Sequence, residues 1–117
     1  MVITLETAQI VRALAALAQE HRLAVFRLLV QAGPEGVPAG ELAVRVGIPA
    51  SSMSFHLAQL SNAGLVAGRR SSRSIIYSAD TDAMNAVLGY LTENCCGGIP
   101  CGLDTFTCTT DEARKSA

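Results

Sequence analysis

The sequence predicts a mainly α-helical fold carrying one small β-hairpin. Three observations support this. Apolar residues recur at helical spacing over most of the chain. Glycine and proline fall at the intervals where short helices must end. A single stretch, Leu65 to Ser78, is rich in Val, Ile and Tyr and is strand-like instead.

The first helix is predicted over Thr4–Ala18, with Leu5, Ala8, Leu14 and Leu17 among its apolar positions. A second helix covers Glu20–Ala32, where Leu23, Phe26, Leu29 and Val30 share a face. Gly33-Pro34-Glu35-Gly36 ends it, because Pro34 cannot continue the hydrogen-bond ladder. Val37–Val46 is a short third helix with Pro38 in its first turn and apolar contacts from Leu42, Val44 and Val46. Gly47 can take the left-handed conformation that closes a helix. After Gly47-Ile48-Pro49 a fourth helix runs from Ala50 to Asn62. Met53, Leu57 and Leu60 lie at i, i+4 and i+7 on its core face, leaving Ser51, Ser52, Ser54, His56 and Gln59 outside.

Strands are predicted at Leu65–Arg70 and Ser74–Ser78, joined by Ser71-Ser72-Arg73. A last helix, Asp82–Asn94, is capped by Asp80 or Thr81 and has Met84, Val87, Leu88 and Leu91 on one face. The sequence after Gly97 has no periodicity. The expected organisation is one domain over 1–96, for DNA binding and dimerisation, and a flexible tail over 97–117 that contributes to an ion site. A short helix, a glycine turn and a second helix with polar residues outward make a helix-turn-helix, and the basic hairpin after it is a wing. The predicted fold is thus a winged helix-turn-helix.

Half of the 117 residues are apolar and only 16% are charged. So few charges on a small domain imply that some apolar surface is covered by a second copy, through the first and last helices. No apolar run reaches the roughly 18 residues of a membrane span. Met1–Gln9 carries Glu6 and lacks the layout of a signal peptide, so the expected location is the cytoplasm. The formal net charge of −1 hides an asymmetry. Between Leu42 and Ala79 there is no Asp or Glu, and there are four Arg: Arg45, Arg69, Arg70 and Arg73. One basic face on an acidic body suits a protein that meets DNA from one side. There is no phosphate loop, paired-carboxylate motif or catalytic dyad, so an enzyme is not expected.

Several segments together resemble the ArsR/SmtB family of metal-responsive repressors. They are Glu20-His21-Arg22-Leu23 leading into Phe26-Arg27-Leu28-Leu29, then Ser54-Phe55-His56-Leu57-Ala58-Gln59-Leu60, Ala63-Gly64-Leu65-Val66, and a wing ending in Tyr77. The resemblance spans about residues 5–94. It implies a winged-helix homodimer that binds a palindromic operator when free of ligand and leaves it when an ion binds. One arsenic-sensing branch places cysteines before the recognition helix, but Glu41–Val46 here contains none. Zinc-sensing members use Asp and His on the last helix, and here that helix has no His. What remains is Cys95-Cys96 with Cys101, similar to an arsenic-responsive branch with a cysteine pair at the end of the last helix.

All four cysteines, Cys95, Cys96, Cys101 and Cys108, fall in the last 23 residues. Thiolates prefer soft ions. Trivalent arsenic or antimony takes three sulfurs in a shallow pyramid, which Cys95, Cys96 and Cys101 can supply, with Gly97-Gly98 turning the chain between them. Cys108 is the expected spectator. Other readings of these thiols stay open: a four-thiolate zinc or cadmium site including Cys108, a thiol-redox switch, or a reactive tail. A metal-binding or redox protein that uses the scaffold only for protein contacts is the alternative class.

The expected DNA contacts are Ser51, Ser52, Ser54, His56 and Gln59, which are short or planar polar groups able to reach base edges or phosphates. Arg69, Arg70 and Arg73 are expected to meet phosphate or the minor groove. The competing role for His56 is a helix-surface histidine bonded to backbone. His21 is expected to cap or support the second helix. The implied partners are double-stranded operator DNA, a second copy and a metalloid ion, with no organic cofactor and no membrane.

Overall fold

The computed structural model describes residues 5–93. Cys95, Cys96, Cys101, Cys108 and the predicted tail lie outside them. The described residues belong to two compact units, one ending at Asp80 and one beginning at Thr81. The first contains four helices and a three-stranded antiparallel sheet: α1 (Leu5–Leu17), α2 (Glu20–Ala32), β1 (Val37–Pro38), α3 (Ala39–Val46), α4 (Ala50–Asn62), β2 (Val66–Ser71) and β3 (Ser74–Ala79). The second begins with α5 (Thr81–Leu91). No helix among the described residues is long and apolar enough to cross a membrane.

The helical spacing placed the core positions of α4 correctly and those of α2 and α3 in part, but not those of α1. Met53, Leu57 and Leu60 of α4 are buried, as are Val25, Phe26 and Leu29 of α2 and Leu42 of α3. Ile10, Ala13 and Ala16 form the buried stripe of α1. Each large aliphatic side chain taken out of water here stabilises the fold by about 1.5–3 kcal/mol. Several apolar positions of the first unit depart from expectation, the exposed Ala8 among them. Leu23 is 46% exposed and Val44 is 80% exposed, and Leu14 is also exposed. Val44 lies two residues from Leu42, a separation that turns it roughly 200° around a helix and away from the buried side. In α2 the buried face is centred on Val25, Phe26 and Leu29, and Leu23 falls outside it.

Val37 and Pro38, predicted as the first turn of α3, instead form β1, paired with Tyr77 and Ile76 of β3. Pro38 is extended, at φ −64° and ψ 147°, and precedes the first residue of α3. A proline has no N–H to give to a ladder, so it fits an edge strand. The sheet order is β1-β3-β2. β2 and β3 are in register from Val66↔Ala79 to Ser71↔Ser74, leaving a two-residue connection, Ser72-Arg73. Ser72 takes a positive φ of 56°, the backbone sign that short hairpin turns demand.

α3 and α4 are joined by the expected glycine turn. Gly47 has φ 83° and ψ 36° and its N–H donates to the Ala43 carbonyl. Ile48 N–H reaches the same carbonyl at 3.1 Å, which closes α3 within one residue. α5 ends in its own terminal bonds: both the backbone N–H and the hydroxyl of Thr92 donate to Leu88 O, at 3.0 and 2.7 Å.

Candidate nucleic-acid interface

α4 presents its polar side as a consequence of the core it fills. A helix turns about 100° per residue, so the arc opposite Met53, Leu57 and Leu60 is occupied by Ser51, Phe55, Ala58, Gln59 and Asn62. Ser51 and Ser54 are exposed, whereas Ser52, His56 and Gln59 are half-buried. Ser54 and His56 lie on opposite flanks of the arc. Phe55, not among the expected contacts, is 58% exposed at the centre of this face. An exposed aromatic ring between serines can make apolar contact with a thymine methyl. The spacing from Leu57 was the signal that would have found it.

His56 has protein partners as well as an open side. Its Nδ1 lies 3.2 Å from Arg22 Nη1. Arg22 can only donate, so Nδ1 is the unprotonated acceptor and Nε2 carries the proton. The imidazole therefore keeps one N–H donor for a base edge or phosphate. The His21 ring lies 5.5 Å from the His56 ring, and Phe55 meets it edge-on at 5.7 Å. His21 supports the residue that caps α2, its Nδ1 lying 3.4 Å from Gln19 Nε2, and does not cap the helix itself. Gln19 does, its Oε1 accepting from Arg22 N–H at 3.0 Å. Arg22 Nε in turn donates to Ala16 O at 2.6 Å, satisfying a carbonyl near the end of α1. Arg22 thus ties α1, α2 and the recognition helix together.

Burial, then the Arg22 guanidinium and the His21 ring, hold the His56 imidazole below the ordinary histidine range. The unfolded chain therefore binds a proton that the folded chain resists. Stability from this site is complete above about pH 6.5 and is lost as pH falls through the lower folded value. The wild-type melting temperature is expected to fall more between pH 7.5 and pH 5 than that of His56→Gln. Equal falls would show that neither burial nor the Arg22 guanidinium disfavours the charged imidazole in the folded chain.

The wing arginines are not equivalent. Arg69 and Arg70 pair with Ile76 and Ile75, so they project from opposite faces of the hairpin. Arg69 Nη2 donates to Glu35 O at 3.0 Å, anchoring the wing to the body. Arg70 faces the other way, and Arg73 stands in the turn, both exposed. Arg45, counted in the acid-free segment, is paired with Glu41 one helical turn earlier. The effective positive charge therefore sits on the wing rather than across α3. The polar arc of α4, the arginines of the hairpin and Arg45 all belong to the first unit, and among them Arg45 is paired with a carboxylate. Among the described residues, no three His, Cys, Asp or Glu side chains gather to hold a metal.

Residues 17–69 match a family described as "Helix-turn-helix domain". The chain is 34% identical over 79 residues to the HTH-type transcriptional regulator YgaV of Escherichia coli (strain K12), covering 68% of this chain and 80% of that one. Its fold is similar to an ArsR-like transcriptional regulator from Rhodococcus sp. RHA1, with a TM-score of 0.63, 28% identity and coverage of 72% and 76%. It is also similar to the homodimeric winged helix-turn-helix DNA-binding domain of a possible ArsR-family transcriptional regulator from Mycobacterium bovis. There the TM-score is 0.61, at 28% identity, covering 74% of this chain and 80% of that one. A recognition helix after a glycine turn, a basic wing and these relatives lead to one assignment: the chain belongs to the ArsR/SmtB family of DNA-binding, winged helix-turn-helix transcriptional regulators.

Proposed function

We propose that the chain is a homodimeric cytoplasmic repressor that holds operator DNA when metalloid-free and releases it when trivalent arsenic, or its congener antimony, binds Cys95, Cys96 and Cys101. The observation that carries the ligand is the placement of every cysteine of the chain in its last 23 residues, with an adjacent pair first. Three thiolates match the pyramidal preference of a soft trivalent ion. Dimerisation is supported by the homodimeric relative from M. bovis. It is supported also by exposed apolar side chains, Val11 and Leu14 on α1 and Leu91 on α5, which a second copy would cover. A two-fold dimer sets two α4 helices about one duplex turn apart.

Ion binding needs deprotonated thiols, so it tightens as pH rises. Release from DNA requires that the ion prefer the free dimer, and by reciprocity operator DNA weakens ion binding by the same factor.

The test uses the reduced protein and fluorescent DNA from upstream of its own gene, titrated with arsenite, then zinc and cadmium. Wild-type protein is expected to be released by micromolar arsenite. Cys95→Ser and Cys96→Ser are expected to keep wild-type operator affinity and lose release. Release only by zinc, cadmium or oxidant would retain the repressor and replace its inducer.

A further inference from the structure

A concave notch of about 430 Å³ opens where α1, α2 and α4 meet. Its polar walls are Arg12 of α1, Arg22 of α2, and Gln59 and Asn62 of α4, with alanine side chains between them. No acidic residue lines it. Among the described residues neither arginine forms an ion pair; the ion pair there joins Arg45 to Glu41. Arg22 is already oriented by two bonds, from Nε to Ala16 O and from Nη1 to His56 Nδ1. Neither partner is a carboxylate, so neither offsets its charge. Arg12 is exposed.

We propose that this notch binds a phosphate of the DNA backbone at the flank of the recognition helix. The proposal rests on the DNA-binding assignment and adds a contact outside the polar arc and the wing. Two guanidinium groups and two carboxamides offer N–H donors converging on one concavity, and guanidinium forks match phosphate oxygens in pairs. Gln59 lies on the outer arc of α4 and Asn62 on its last turn, so a duplex seated on that arc carries its sugar-phosphate edge past the notch. A phosphate contact fixes register without reading sequence. Here it also bears on reading: Arg22 holds the unprotonated nitrogen of His56, so a phosphate gripped by Arg22 orients the His56 Nε2–H that faces the groove.

Arg22 supports the α1–α2 corner, so the test uses Arg12, whose loss leaves that corner intact. Wild-type protein and Arg12→Ala are titrated by fluorescence anisotropy against the upstream duplex and a scrambled duplex, from low to moderate salt. Removing one phosphate contact flattens the plot of log affinity against log salt by about 0.9, hence about 1.8 for the two notches of a dimer. Arg12→Ala is expected to show that flattening, and to weaken both duplexes by the same factor. An unchanged slope with wild-type binding intact would overturn the notch and leave the family assignment standing. Absence of salt-dependent DNA binding by the wild type would remove both. In a second arm, inorganic phosphate is added to DNA-free protein and followed by NMR. Saturable binding that disappears in Arg12→Ala, with no change in the DNA slope, would assign the notch to a free anion and overturn the DNA proposal.

Discussion

Gly36→Ala is expected to lower the melting temperature by roughly 12–24 °C, the largest effect of a methyl group added at any glycine among the described residues. Gly36 has φ 76° and ψ −174°, a conformation that is nearly exclusive to glycine. That strain alone costs about 1–3 kcal/mol for a side-chain-bearing residue. The added Cβ would stand 2.4 Å from Tyr77 O and 2.9 Å from Ile76 Cγ2. The first of these is backbone and cannot swing aside. The Val37↔Tyr77 and Pro38↔Ile76 pairing must open to admit the methyl group, loosening the base of the wing. A total near 3 kcal/mol converts at about 4–8 °C per kcal/mol for a domain of this size. Gly40→Ala is the control. Gly40 lies in α3, and a methyl group added there would meet nothing within 4 Å, so alanine is expected to be neutral or to stabilise by up to about 1 kcal/mol. Thermal unfolding followed by circular dichroism separates the two. A Gly36→Ala variant melting within a few degrees of wild type would mean that β1 does not pair with β3.

The parts of the fold legible in the sequence were those governed by a long period and clear stops. α2 and α4 have the predicted boundaries because each is a 13-residue run with a clear stop, Gly33 after α2 and Gly64 after α4, and α4 also starts directly after Pro49. The hairpin was legible from its β-branched residues, although its turn uses Ser72 at positive φ without the usual Asn-Gly pair. β1 was not legible. Two residues cannot display a period, and proline before a helical run looks the same whether it starts a helix or ends a strand. The error at Val44 has a different origin. Leu42, Val44 and Val46 alternate, which is strand spacing, and an eight-residue helix cannot bury all three.

The outer side of α4 shows a similar division. The exposure of Ser51 and Ser54 followed from the burial of Met53 and Leu57. Phe55 was hidden because an aromatic residue in a helix is read as core unless its angle to the core is worked out. The bond between Arg22 and His56 joins residues 34 positions apart, and no local pattern encodes it. The notch beside it depends on three helices meeting, which likewise leaves no trace in any one of them. The charge pattern credited Arg45 with a free charge, because Glu41 stands just outside the acid-free segment.

Replacing both Arg70 and Arg73 with alanine is expected to have the largest effect on DNA affinity and little effect on folding. Both side chains are exposed, and changes at such positions usually alter stability by less than about 0.5 kcal/mol. Each phosphate they neutralise releases condensed counterions, so the log–log salt slope is expected to flatten by about 0.9 per contact. Two contacts per chain and two chains per dimer give a flattening of about 3.6, with affinity falling for specific and scrambled duplexes alike. Arg69→Ala is expected to behave differently. Its guanidinium is committed to Glu35 O at 3.0 Å, on the face of the hairpin opposite Arg70. Losing it removes one tie between the wing and the segment before β1 while the β1–β3 pairing stays, so thermal stability should drop slightly while the salt slope changes by less than a single phosphate contact would give. Anisotropy at several salt concentrations, alongside melting curves for both variants, tests the distinction. If Arg69→Ala flattened the slope as much as Arg70→Ala, the two faces of the wing would be equivalent toward DNA. The opposed strand register would then have no bearing on how the protein grips its operator.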